Sequence, residues 1–188
     1  MQKTLSKKNF LNGNYIKQIK KGAVFIYPTD TIYGIGCDAT NKKAVARIRN
    51  IKGRTNKPFS VIAPSKTWIS RNCFIDEKDK SFLKKLPGKY TLILKLMNKT
   101  AVAKNVVFGE TLGVRIPNHW FSRIVKEINK PVITTSVNMS GEQTMTSLED
   151  IDKNILKKID FIIYEGKKPG KPSTMIDLTE ERAKIIKR

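Results

Sequence analysis

Three cations crowd a glycine turn in Lys52-Gly53-Arg54-Thr55-Asn56-Lys57-Pro58, where they cannot spread along a helix face. Their charges converge unless an anion or solvent takes them up; arginine grips a phosphate bidentately and lysine as a point charge. A solvated helix C-terminus, which also favours cations, is the plainer alternative. A second stretch, Thr111-Leu112-Gly113-Val114-Arg115-Ile116-Pro117, places an arginine inside an apolar strand. Leu112, Val114 and Ile116 share one face by strand alternation, so Arg115 points to the other, and that polar face is the floor of a site. An ionised group there needs a partner, because desolvating it unpaired costs several kcal/mol. No acid adjoins it, so the partner is an acid from a distant strand, such as Asp177, or the carboxylate of a ligand.

Two further loops carry neutral polar groups. In Thr134-Thr135-Ser136-Val137-Asn138-Met139-Ser140-Gly141, Ser136 and Asn138 share one side of a strand end, where both can donate and accept. In Pro28-Thr29-Asp30-Thr31-Ile32-Tyr33-Gly34-Ile35-Gly36, the Thr29 and Thr31 hydroxyls and backbone N–H groups beside Gly34 and Gly36 suit an oxygen-rich ligand. A turn between strand and helix would use the same residues. Other chemistries fall away. The one histidine, His119, excludes a His-rich zinc site, and Cys37 and Cys73 lack the paired spacing of thiolate ligands. No Gly-x-Ser-x-Gly elbow accompanies His119, which reads as a cap at a helix start. Gly166 to Ser173 has too few residues between its glycines for a P-loop, and Pro172 stands where Ser or Thr is required.

The elements that must position these loops alternate in type. Helical patterns run over Asn12–Lys21, stopped by Gly22; over 42–52, with Asn41 as N-cap and Ala44, Val45, Ile48 and Ile51 as the apolar stripe; over Asp76–Leu86, closed by Pro87-Gly88; over His119–Asn129; and over Ser147–Ile159. Strand patterns run over Ala23–Tyr27, Phe59–Ala63, Thr91–Met97, Thr111–Ile116, Val132–Val137, Phe161–Tyr164, Thr174–Leu178 and Ala183–Ile186, with Thr29–Thr40 as a loop. Such alternation predicts one α/β domain over residues 1–188, a mixed sheet covered by helices.

Composition sets the frame. The hydrophobic share of 39% and charged share of 28% are those of a globular chain. The net charge of +21, from 37 basic and 16 acidic residues, favours anionic partners: nucleotides, RNA or a membrane surface. Lysine far outnumbers arginine, the bias an AT-rich genome writes at uncommitted positions, so the arginines are the more informative cations. The apolar runs are strand-length, no signal peptide is visible, and two cysteines make no disulfide framework, which predicts a cytoplasmic protein.

Six stretches in order, from residue 28 to 177, resemble the YrdC/TsaC family of threonylcarbamoyl-adenylate synthases of tRNA modification. They are Pro28–Gly34, Lys52–Arg54, Leu86-Pro87-Gly88-Lys89-Tyr90-Thr91, Gly113–Pro117, Ser136–Gly141 and Pro172-Ser173-Thr174-Met175-Ile176-Asp177. The resemblance implies a twisted mixed sheet with a basic concave face, and a reaction in which L-threonine, bicarbonate and ATP give threonylcarbamoyl-adenylate and pyrophosphate. A partner transferase complex then passes the group to the adenosine 3′ of the anticodon. Carried over residue by residue, Lys52 and Arg54 would serve catalysis and, with Lys57, hold ATP phosphates; Thr111, Asn138 and Thr146 would face the nucleotide. Thr31, Arg115 and Ser136 would bind threonine, with Mg²⁺ carried by the phosphates and no metal held by protein ligands. The chain departs from the family pattern at Thr55, where proline is usual and its loss would loosen the loop, and at Ile62, near which some members place a histidine. Lys187 falls where some members bring an arginine to the nucleotide. Two other readings use the same residues: an RNA-binding module of this fold without adenylation, and a carbamoyl-transfer relative.

Overall fold

The structure, a computed structural model, describes residues 3–139, 142–168 and 170–186. Among these residues, ten strands form one mixed sheet in the order β1-β8-β2-β3-β7-β4-β6-β5-β9-β10. The strands are β1 (Lys3–Leu5), β2 (Phe25–Tyr27), β3 (Gly34–Gly36), β4 (Ser60–Ile62), β5 (Tyr90–Lys95), β6 (Thr111–Arg115), β7 (Val132–Ser136), β8 (Phe161–Ile163), β9 (Thr174–Asp177) and β10 (Lys184–Ile186). The expected α/β class is what forms. The helices are α1 (Lys7–Leu11), α2 (Tyr15–Lys20), α3 (Lys42–Lys52), α4 (Lys66–Asn72), α5 (Lys80–Leu83), α6 (Phe121–Ile128) and α7 (Lys153–Leu156).

Alternation along the strands divides the apolar side chains between two cores. Ile26, Val61, Leu92, Val114, Ile133 and Ile162 join the larger one, with Val45, Ile48 and Ile51 of α3, Ile69 of α4 and Ile155 of α7. Phe25, Tyr27, Ile62, Val132, Phe161 and Ile163 point the other way, against Phe10 of α1, Ile19 of α2 and the Phe121/Ile124/Val125/Ile128 face of α6. That second cover spans the β1-to-β7 half of the sheet and reaches only Ile62, at the end of β4, beyond it. Over β4, β6, β5 and β9 the same face carries Ser60, Gly113, Thr111, Arg115, Ile93 and Met175 and stays open, which makes the concave floor of a site.

The expected helix start at Asn41 is present: its Oδ1 accepts the Lys43 and Ala44 N–H groups at 3.1 Å each. Gly53 ends α3 in the left-handed region at φ 58°, the conformation that turns Arg54 away from the helix axis. Three expectations are corrected. The loop 29–40 contains β3, in which Gly34 and Gly36 make room for the ring of Tyr27, while Gly34 and Thr29 also line the inner of two cavities on the open half-face. A Cβ on Gly34 would lie 3.0 Å from Tyr27 Cζ, and one on Gly36 would lie 2.3 Å from the Ile133 carbonyl oxygen. The helix expected over 76–86 is a 3₁₀ turn (Glu77–Asp79) followed by α5. The helix expected over 147–159 breaks at Ile151, which is extended, between a 3₁₀ turn (Leu148–Asp150) and α7. Asp150 takes up the Thr146 and Ser147 N–H groups, and Asp152 starts a new helix by accepting the Asn154 N–H, so two local caps outcompete one continuous helix. Strand β1 and helices α1 and α4 went unread, being short pieces with little periodicity of their own. Because Gly36 abuts a backbone oxygen, which cannot move aside as a side chain can, Gly36→Ala is expected to cost about 1–3 kcal/mol. A lowered denaturant midpoint with an unchanged slope checks this.

Candidate active site

Two cavities adjoin on the open half-face and share a wall of Ser60, Thr134, Thr135 and Ser136. The outer one holds about 400 Å³ and is lined by Lys52, Arg54, Lys57, Thr111 and Asn138, with Phe59, Ile93 and Met175 supplying apolar surface. No acidic side chain is among its lining residues. The inner one is narrow, about 30 Å³, and Arg115 is the one cation among hydroxyls from Thr29, Tyr33, Thr91, Ser136 and Ser173.

Strand β6 positions both floors. Thr111 and Gly113 line the outer cavity and Arg115 the inner, while Leu112 and Val114 are buried in the larger core, as the alternation requires. Gly113 keeps the floor low, since a Cβ there would lie 2.3 Å from Ser60 Oγ. The buried Lys52 at the end of α3 reaches across to β7. Its Nζ donates to the carbonyls of Ser136 and Asn138 at 2.6 Å each and to Asn138 Oδ1 at 2.9 Å. Burial, with a smaller push from Arg54, draws its pKa down to about 8, while the three acceptors favour the ammonium form. Ser136 Oγ donates to the same Asn138 Oδ1 at 2.6 Å, so the expected Ser136–Asn138 pairing exists and is locked by Lys52.

The loop 54–58 is not loosened by Thr55. Arg49 Nη1 donates to the carbonyls of Arg54, Thr55 and Lys57 at 3.1, 3.2 and 3.1 Å. Its guanidinium sits between Phe59 and Phe108, 4.6 and 4.5 Å from their ring centres, and Arg54 leans on the same Phe59 at 5.3 Å. This shapes the loop so that Arg54 and Lys57 reach the cavity. Arg49 was missed because its role is carried by backbone carbonyls, which no sequence pattern reports.

Arg115 finds its acid within the protein, and that acid is neither Asp177 nor a neighbour. Its Nη2 donates to Asp30 Oδ1 at 2.7 Å, with both side chains at most 7% exposed. Asp177 instead accepts the Thr179 N–H and hydroxyl. Thr31 lines neither cavity; its Oγ1 lies 2.9 Å from Thr29 Oγ1 and 3.4 Å from Arg115 Nη2. Thr146 also lines neither cavity; its hydroxyl is held by Asp150 Oδ2 at 2.7 Å, and Met145 beside it donates its N–H to the carbonyl of Val137, next to Asn138, at 3.0 Å. Ile62 is fully buried in the smaller core. Ser140, Gly141, Lys187 and Arg188 lie outside the described residues.

Four hydroxyls complete the inner pocket: Ser60, which no motif singled out, and Thr91, Thr134 and Ser173, which stand in the motif stretches without an assigned role. Polar residues at alternate positions of otherwise apolar strands were the signal for them. The segment carrying Pro172 and Ser173 is fastened at its start: Glu165 accepts from Trp120 Nε1 at 2.7 Å and pairs with His119 Nε2 at 2.8 Å and with Lys168. The Tyr33 hydroxyl donates to the Gly166 carbonyl at 2.6 Å. Burial lowers the His119 pKa, and its Nδ1 accepts the Phe121 N–H at 3.3 Å, so its part is to cap and to fasten. Among the described residues, no three His, Cys, Asp or Glu side chains converge as metal ligands, and no helix is long and apolar enough to cross a membrane.

A helix-flanked mixed sheet whose open face joins a cationic cavity to a hydroxyl-lined arginine pocket is a scaffold for bringing two small polar molecules together. The family described as "Telomere recombination", Sua5/YciO/YrdC, matches residues 17–188, and the chain belongs to it. It is 39% identical over 170 residues to a putative threonylcarbamoyl-AMP synthase of Methanocaldococcus jannaschii, covering 88% of this chain and 79% of that one. The Escherichia coli YciO structure superposes with a TM-score of 0.86 at 27% identity, covering all of this chain and 95% of YciO. The Pyrococcus abyssi Sua5 structure with L-threonine gives 0.85 at 26% identity, and this chain spans 57% of that one.

Proposed function

We infer that the protein is an L-threonylcarbamoyladenylate synthase. The observation that carries this reading is the pair of adjoining cavities with one shared hydroxyl wall: a polyanion site beside a pocket for a small amino acid. Threonine and bicarbonate condense to a carbamate with loss of water. A carbamate oxygen then attacks the α-phosphorus of ATP, the bond to the β-phosphate oxygen breaks, and pyrophosphate leaves. No protein nucleophile is needed, since such a transfer asks for alignment and charge neutralisation. Lys52, Arg54 and Lys57 neutralise the phosphates, Thr111 and Asn138 hold the nucleotide, and Phe59, Ile93 and Met175 offer it apolar surface. Arg115 and Ser136 hold threonine, with Thr31 acting behind Arg115. The oxygen-seeking Mg²⁺ fits the phosphates better than a cavity lined by cations, and it arrives with ATP.

The adenylate passes to a transferase that modifies tRNA in the cytoplasm. Pyrophosphate release is expected to require ATP, threonine and bicarbonate together and to proceed without tRNA. A coupled pyrophosphate assay, with mass spectrometry of the adenylate, checks this; equal release without threonine, or strict dependence on tRNA, would refute the assignment.

A further inference from the structure

The two cavities share a wall and differ in charge, and one buried acid widens the difference. The outer cavity has three cations and no acid on its lining. The inner one has a single cation, and Asp30 sits directly behind it, 2.7 Å from Arg115 Nη2. The carboxylate cannot swing away, because its second oxygen accepts the Asn118 N–H at 2.9 Å. Side-chain exposures of 6% for Arg115 and 7% for Asp30 leave little water to screen the pair. A buried Arg–Asp pair acts on a distant charge as a dipole rather than as a net cation. A zwitterionic amino acid, itself without net charge, is therefore admitted, and the charge added when its nitrogen becomes a carbamate is met by the cations of the adjoining outer cavity, whereas a phosphate inside the pocket would bring uncompensated negative charge into a desolvated site.

We propose that Asp30 is a specificity-determining residue: by offsetting Arg115 it keeps phosphates out of the amino-acid pocket and sorts the two substrates between adjoining cavities. Asp30 also fixes the guanidinium plane, so it acts through Arg115 as a positioning residue and touches no substrate itself. The inference rests on the synthase reading and adds to it the reason the triphosphate does not occupy both cavities.

Inorganic phosphate is the probe. In the wild-type protein it is expected to compete with ATP and not with threonine, both in pyrophosphate-release kinetics and in calorimetric titrations. In Asp30→Asn, which keeps the size, removes the charge and gives up one of the two accepted hydrogen bonds, phosphate becomes a competitor of threonine as well. The threonine KM there rises roughly 10- to 100-fold, while kcat at saturating threonine stays within about threefold. A purely structural role for Asp30 would not create a new competition pattern. Phosphate competing with threonine in the wild type overturns the proposal without any variant, and so does Asp30→Asn that keeps the wild-type KM and inhibition pattern. If Asp30→Asn fails to fold by thermal melt, the wild-type competition pattern decides alone. Wild-type protein that binds ATP but no threonine in the titrations overturns the synthase reading, an outcome distinct from threonine binding with phosphate competition.

Discussion

Lys52→Met is expected to lower kcat/KM for ATP by about a thousandfold, the scale of losing an oriented charged donor from a catalytic site. Methionine nearly matches the length of lysine, so the loss is of charge and hydrogen bonds rather than of volume. Lys52 Nζ is the donor to the Ser136 and Asn138 carbonyls and to Asn138 Oδ1, and without it the phosphate side of the site loses its shape along with a charge. Stability falls too, because three acceptors are left to find other donors. The pH dependence identifies the group. With its pKa near 8 instead of the usual 10.5, the ammonium is lost as pH rises through about 8, so the KM for ATP climbs above that pH. The stability effect has the opposite sign: between about 8 and 10.5 the unfolded chain holds more protons at this residue than the folded one, so its contribution to stability rises with pH across that window. Lys52→Arg keeps its charge throughout and is expected to flatten the climb in KM. Steady-state kinetics from pH 7 to 10, in buffers of one ionic strength, checks this, and an unaltered pH profile in the arginine variant would exclude Lys52 as the titrating group.

Arg115→Lys is the second large effect. The charge opposite Asp30 survives, but the fork that meets Asp30 and Thr31 together is replaced by a single ammonium on a flexible stem. Threonine binding is expected to weaken roughly 100-fold, with the KM for ATP changed less than about threefold, as fits loss of a charge-assisted bidentate contact from one cavity only. Titrating both substrates against the variant, beside a thermal melt without ligands, separates the roles. A large fall in melting temperature with unchanged threonine affinity would make Arg115 a structural ion-pair residue and misplace the threonine pocket.

These two residues also mark how far the chain could be read before folding. Strand alternation around Arg115 was enough to turn it onto a polar face with Thr111 and Gly113, because that period is a property of the strand alone. Asn41 and Gly53 likewise set the ends of α3 through local capping, and with them the place where Lys52 and Arg54 leave the helix. The expected helix over 147–159 failed for the same kind of local reason, since Asp150 and Asp152 each cap a short segment. Tertiary structure alone decided the rest. Asp30 meets Arg115 across 85 positions, and Lys52 meets Asn138 across 86. Gly34 and Gly36, which suggested a ligand loop, both make room for the ring of Tyr27, and Gly34 lines the inner pocket as well. Arg49 organises the phosphate loop through carbonyls that every residue possesses. Residue type and spacing determined which groups could act and which way each local element turned them. Which groups meet depends on strand order and register, and those follow from burying both faces of one half of the sheet while the other half stays open on one side.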